Sequence, residues 1–241
     1  MRVDVYPTVL NIPPAEDLAG RVAVVIDVLR ATTTICTALA NGADTVVPIL
    51  TPEEAFQVAA DNPDRMFLLG GERKAVLIPG FNYGNSPLEY TEARVKGRPI
   101  LFTTTNGTRA IRRAAGADRV YIACLLNAPA VARELARLEQ DVAICCAGTH
   151  DQFSLEDTAC AGAILHFLAA AGAPVETNDM GVVARDLFRE YDGRLGDLVH
   201  LSEHGQRLAK LGLQEDLLFC AQLGRLTILP VFTEGQVVLP D

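Results

Sequence analysis

The chain has 241 residues, 49% hydrophobic and 21% charged, with a formal net charge of −9. That balance belongs to a folded enzyme-sized protein with a large core, and the acidic excess argues against nucleic acid or an anionic membrane surface as partner, since both repel a negative field. The opening residues lack the apolar core of a signal peptide, and no run reaches the roughly 18 apolar residues of a membrane span, so a cytoplasmic α/β protein occupying residues 1–241 as one domain is expected.

A short strand is expected at Arg2–Tyr6. Val22–Ile26 is continuous, apolar and largely β-branched, which reads as a strand covered on both faces. Asp27 and Arg30 bracket its end, the hydroxyls of Thr32, Thr33 and Thr34 follow, and a helical pattern with Ile35, Ala38 and Leu39 closes at Asn41-Gly42. Such a junction suits a small anion. First-turn N–H groups lack intrahelical partners and sit at the positive end of the helix dipole, and Arg30 can add a bidentate contact. A carboxylate repels an anion unless a cation lies between them, so Asp27 points to Mg²⁺, which takes one or two carboxylates together with phosphate oxygens. The plainer alternative has the threonines capping the helix and Asp27 paired with Arg30.

Thr45–Leu50 reads as a strand. Thr51-Pro52-Glu53-Glu54 then forms a capping box opening a helix that ends near Asn62-Pro63. After a strand at Met66–Leu69, the stretch Gly70–Pro87 reads as a long irregular loop carrying Glu72, Arg73, Lys74, Asn82, Asn85 and Ser86. Loops of that length in a compact domain are usually functional or mobile. Ser86-Pro87-Leu88-Glu89 looks like a second capping box. Pro99–Phe102 is the next strand, and Thr103–Thr108 leads into a helix over Arg109–Ala115. ANGADTVVPI at 40–49 and AAGADRVYIA at 114–123 are near copies. They suggest an internal repeat of strand, threonine-rich loop, helix and strand, with both loops at the same sheet edge around one site.

Asn127-Ala128-Pro129 opens an amphipathic helix through Leu138, and Val142–Ala147 is another buried strand. Beyond Gly148-Thr149-His150-Asp151, Ser154 caps a long helix with Glu156 and Asp157 in its first turn. These acids either complement the helix dipole or serve a metal or the chemistry. The region from Asn178 to Gly224 reads as mostly helical, followed by strands at Leu226–Phe232 and Gln236–Leu239. The six cysteines lie in apolar runs without CxxC or Cys/His pairing, as buried reduced thiols do. His166, His200 and His204 fall in helices and read as structural; His150, in a loop at a strand end, is the exception.

DVLRATTT after an apolar strand, GGER with PGFNYGNSPLE, TTTNGTRA and SLEDTACAG stand in order along the chain. Together they resemble the 2-phosphosulfolactate phosphatase family, and the similarity runs over nearly the whole chain, including a late helix with Asp216 and Cys220. The resemblance implies a three-layer α/β/α fold with a mostly parallel or mixed sheet. It also implies Mg²⁺-dependent removal of phosphate from 2-phospho-3-sulfolactate, as in coenzyme M synthesis. It points to Asp27 and Glu72 as catalytic, and to Arg30, Thr32, Thr33, Asn85, Ser86, Thr105, Asn106, Gly107 and Thr108 as substrate-binding. Asp27, Glu156 and Asp157 are the expected metal ligands, with nucleophilic attack by Asp27, and proton transfer by Glu72, Glu156 or Asp157, as the alternatives for these carboxylates.

Phosphomonoester hydrolysis needs neutralised oxygens, an in-line nucleophile and a proton for the alkoxide, and these residue types can supply all three. Leu29 stands two places after Asp27, which excludes an Asp-x-Asp phosphatase, and no cysteine begins a Cys-x5-Arg loop. No Walker lysine motif appears. A non-catalytic sensor of a phosphorylated or sulfonated metabolite is the alternative. The helices after Asn178 offer a face for a homodimer, an expectation by analogy.

Overall fold

The computed structural model describes residues 1–240. Strands and helices alternate from the start: β1 (Arg2–Tyr6), α1 (Ala15–Leu18), β2 (Val22–Ile26), α2 (Ala31–Ala40), β3 (Thr45–Pro48), α3 (Pro52–Asp61), β4 (Leu68–Arg73), β5 (Val76–Leu77), α4 (Glu92–Val95) and β6 (Pro99–Thr103). Next come α5 (Gly107–Arg113), β7 (Arg119–Ala123), α6 (Ala128–Leu138), β8 (Val142–Cys146), α7 (Leu155–Ala170) and β9 (Glu176–Thr177). Four helices follow, α8 (Asp179–Tyr191), α9 (Leu195–Leu201), α10 (Glu203–Lys210) and α11 (Gln214–Cys220), and then the hairpin β10 (Val231–Thr233) and β11 (Gln236–Val238).

One sheet takes the order β5-β4-β6-β3-β11-β10-β7-β2-β8-β1-β9. Strands β4, β6 and β3 are mutually parallel, as are β7, β2, β8, β1 and β9. The C-terminal hairpin lies between these groups, with β11 antiparallel to β3 and β10 antiparallel to β7. Three successive antiparallel pairings therefore make the two groups run in opposite senses. The threonine-rich turns after β2 and β6 do not leave a common edge of one parallel sheet. The turns meet where α2 and α5 begin. Both units run strand, loop, helix, strand, but β2 is the second of a five-strand group and β6 the middle of a three-strand group, so element order alone does not establish a repeat.

Alternation along β2 divides two cores. Val22, Val24 and Ile26 face a cluster with α6, α7, α8 and α9, including Val131, Ile164, Phe188 and Leu198. Ala23 and Val25 face a second cluster with Ile35, Leu39, Ala110 and Ile111 of α2 and α5. On β6, Ile100 and Phe102 join that second cluster, while Leu101 packs with Ala55 of α3. Helices thus cover both faces of the sheet, a three-layer α/β/α arrangement in which strands buried on both sides need continuous apolar sequence. All six cysteines are buried and free.

Local signals place most elements. Thr51 Oγ1 accepts from Glu54 N–H at 3.1 Å, Ser154 Oγ from Asp157 N–H at 3.3 Å, and α2 stops at Asn41 with Gly42 at φ +85°. The strand expected over Leu226–Phe232 is confined to Val231–Thr233, and two further expectations fail. The segment after Leu69 is not all loop: β4 continues through Gly70, Gly71 and Glu72 and turns at Lys74-Ala75 into β5. Glycine permits this, since Gly71 has φ +137° and a Cβ there would lie 2.0 Å from Thr103 O. Ser86 does not cap a helix either; Pro87–Glu89 is one 3-10 turn, and Ser86 makes no capping hydrogen bond. No helix among the described residues is long and apolar enough to cross a membrane.

Candidate active site

Asp27, the first residue beyond β2, organises the turn into α2. Its Oδ1 accepts from Ala31 N–H at 3.2 Å, and its carbonyl accepts from Thr32 N–H and Thr32 Oγ1, each at 2.9 Å. Thr32 Oγ1 in turn accepts from Asp27 N–H at 3.0 Å. Thr33 Oγ1 donates to Val28 O at 2.8 Å, and Thr34 Oγ1 to Asn85 O at 2.9 Å. Asp27 itself therefore satisfies the first donors of α2, and the three hydroxyls are spent on backbone.

Glu72, at the end of β4, closes the opposite wall. Its Oε1 accepts from Thr105 N–H and Thr105 Oγ1, both at 3.0 Å, and its Oε2 from Ala75 N–H at 2.6 Å. Gly107, which opens α5, packs directly on the first turn. A Cβ there would stand 2.5 Å from Ala31 Cβ and 2.8 Å from Asp27 Oδ2. Only glycine lets the two helix starts approach so closely.

These elements enclose a cavity of about 200 Å³. Asp27 and Glu72 line it together with Asn85 and Asn106, whose Oδ1 atoms are buried without a hydrogen-bond partner. Arg30, Lys74 and Arg207 supply positive charge, and Thr104, Thr105, Thr149, His150 and His204 complete the polar wall. Burial pushes the Asp27 carboxyl up to about 7, and repulsion from Glu72 and Glu156 adds to it against the opposing Ala31 N–H and Arg30. Burial, reinforced by Arg30 and Arg207, lowers His204 to about 4 and keeps its imidazole neutral. Arg207 Nη1 lies 3.3 Å from His150 Nε2.

Of the residues singled out from sequence, Asp27, Arg30, Glu72, Asn85, Thr105 and Asn106 share this cavity. Thr32, Thr33 and Thr108 are buried with their hydroxyls bonded to backbone carbonyls, that of Thr108 to Thr104 O at 3.0 Å. Gly107 contributes close packing, and Ser86 borders an adjoining groove. Glu156 and Asp157 stand outside the wall. Asp157 accepts from Val28 N–H at 2.8 Å and Gly148 N–H at 3.0 Å, so it ties the β2 turn to the β8 turn, and burial raises its pKa well above the carboxylate range. Burial also raises Glu156, whose Oε2 has no partner. Among the described residues no three His, Cys, Asp or Glu side chains gather to hold a metal, so Asp27, Glu156 and Asp157 do not form the expected set.

Lys74, His204 and Arg207 were not picked out as site residues by sequence reasoning. His204 and Arg207 stand one turn apart on α10, next to the buried Gly205 and Leu208. That spacing marks a shared face, but nothing local says what the face meets.

The family model described as 2-phosphosulpholactate phosphatase matches residues 7–235. A relative from Symbiobacterium thermophilum is 86% identical over 95% of this chain and 99% of its own length. Others from Caldanaerobacter subterraneus subsp. tengcongensis and Clostridium acetobutylicum are 42% and 39% identical, each over 92% of this chain and over 91% and 94% of their own lengths. All three carry the name "Probable 2-phosphosulfolactate phosphatase". A match over this much of the sequence, at these identities, means that the chain belongs to the 2-phosphosulpholactate phosphatase family, whose class of enzyme is the phosphoric monoester hydrolases.

Proposed function

We propose that this chain hydrolyses 2-phospho-3-sulfolactate to 3-sulfolactate and inorganic phosphate in the cavity between Asp27, Glu72 and Arg30, with Mg²⁺ as its cation. The substrate comes from the name its relatives carry. One observation carries the location: two buried carboxylates and two orphaned amide oxygens share a cavity with three cationic side chains.

Hard oxygen donors of that kind suit Mg²⁺, and Asp27, Glu72, Asn85 and Asn106 are the residues that would hold it. Bound there, it would supply positive charge to the phosphoryl oxygens. The repulsion that Glu72 exerts on Asp27 is what a cation between them relieves. Glu72 is held for this by Thr105 and Ala75, and Asp27 by Ala31. Arg30 binds the phosphoryl group, while Lys74 and Arg207 meet the other acidic groups of a multiply anionic ester.

The test is release of inorganic phosphate from 2-phospho-3-sulfolactate, with and without Mg²⁺, by the wild type and by Glu72→Gln. Mg²⁺-dependent release that falls by about 100-fold or more in the variant is expected, as for loss of a group that stabilises transition-state charge. A wild-type protein inert toward the ester with Mg²⁺ present would refute the assignment.

A further inference from the structure

The phosphoester reading assigns Arg30 to the substrate but leaves open what aims a buried guanidinium at the cavity. Arg30 Nη1 pairs with Asp216 Oδ2 at 2.5 Å, and both side chains are 4% exposed. The other Asp216 oxygen accepts from Ser86 Oγ at 2.6 Å. Asp216 comes from α11, far along the chain from both partners. One carboxylate therefore joins three separate segments: the β2–α2 turn, the loop carrying Asn85 and Ser86, and the C-terminal helices. Thr34 Oγ1, bonded to Asn85 O, ties the first two segments a second time.

We propose that Asp216 is a positioning residue of the active site: it holds the Arg30 guanidinium against the cavity and registers the Asn85 loop beside it. A guanidinium has five N–H donors in a rigid plane. Anchoring Nη1 fixes that plane, and among the described residues Nη1 is the one Arg30 nitrogen with a hydrogen-bond partner, so the remaining donors are free for an anion. Burial makes the anchor necessary, because a cation withdrawn from water and left unpaired reorients toward solvent. Asp216 does not line the cavity and touches no substrate; it acts through Arg30.

The inference rests on the proposed phosphoester site, and two readouts separate their failures: turnover of 2-phospho-3-sulfolactate, and binding of inorganic phosphate by calorimetry. Losing an ionic hydrogen bond of this type corresponds to about 10- to 100-fold. Asp216→Asn should raise KM and weaken phosphate binding by that factor while kcat and the half-saturating Mg²⁺ concentration change by less than about threefold. In an Arg30→Lys background the same substitution should add less than about threefold, since its effect runs through the guanidinium. Ser86→Ala, which keeps the ion pair and removes one hydrogen bond, should raise KM by about two- to fivefold with wild-type melting behaviour, and this decides the matter if Asp216→Asn does not fold. Wild-type KM and phosphate affinity in these variants, or a full additional loss on Arg30→Lys, overturns the role of Asp216. Absence of turnover in the wild type defeats the substrate assignment instead, and the phosphate titrations still decide whether Asp216 positions Arg30.

Discussion

Replacing Asp27 by Asn should stabilise the cation-free protein at alkaline pH and not at acid pH. The Asp27 carboxyl titrates near 7 in the fold against 3.8 when exposed, chiefly because it is buried. The native state thus holds this proton more tightly than the unfolded chain does. Its contribution is most favourable below pH 3.8 and is lost as the pH rises through 7, leaving above that a penalty of roughly 4 kcal/mol at about 1.36 kcal/mol per pKa unit. Asparagine keeps an oxygen for Ala31 N–H but carries no charge, so by about pH 8 the variant should exceed the wild type by up to that amount. Mg²⁺ at about 100 times its Kd should return roughly 2.7 kcal/mol to the wild type and little to the variant. Urea unfolding followed by far-ultraviolet circular dichroism at pH 4, 6 and 8 measures this, the chain having no tryptophan to report by fluorescence. A variant less stable than wild type at pH 8 without cation would refute the burial argument. Equal stabilisation of both proteins by Mg²⁺ would remove Asp27 from the cation site.

Gly107→Ala should cost about 1–3 kcal/mol, the usual range for overpacking, and depress kcat/KM, because the new methyl meets Ala31 and Asp27; unchanged melting and activity would show that α5 can shift freely. His204, neutral in the fold and lowered to about 4, contributes stability that is complete above pH 6.5 and lost as the pH falls through 4. The loss approaches about 3 kcal/mol, and a His204→Gln variant should flatten that acid limb of the pH–stability curve; an unchanged limb would place its cause elsewhere. Thr32→Val removes a hydroxyl that serves only Asp27 backbone atoms, so it should cost about 1–3 kcal/mol and leave KM for the phosphoester unchanged. A raised KM would return Thr32 to substrate binding.

The threonine run shows where sequence reasoning stops. Its position between an apolar strand and a helix marks a strand-to-helix junction, and Asp27 and Arg30 beside it line the cavity. Whether the hydroxyls face a ligand or fold back depends on the path of the turn, and here each is within reach of a carbonyl oxygen. Ser86-Pro87-Leu88-Glu89 fails for a related reason. The capping pattern is present, but Asp216 claims the serine and Gly84 N–H claims Glu89 Oε2 at 2.7 Å. Gly70 and Gly71 read as loop residues until the neighbouring Tyr90 hydroxyl and Thr103 carbonyl explain why a strand there has to lack side chains.

What the sequence determined by itself is local: runs of apolar residues that become doubly covered strands, caps at Thr51 and Ser154, a stop at Gly42 and six thiols destined for the interior. These depend on periodicity and on hydrogen bonds between residues a few positions apart, and both are written in neighbouring letters. Only the tertiary structure decided which strand ends meet. The last hairpin of the chain enters between β3 and β7 and reverses one half of the sheet against the other, yet Glu72 and Asp27 line one cavity. Asp216 reaches Arg30 across 186 positions. Such pairings are chosen by the packing of whole layers, and no short window of residues carries them.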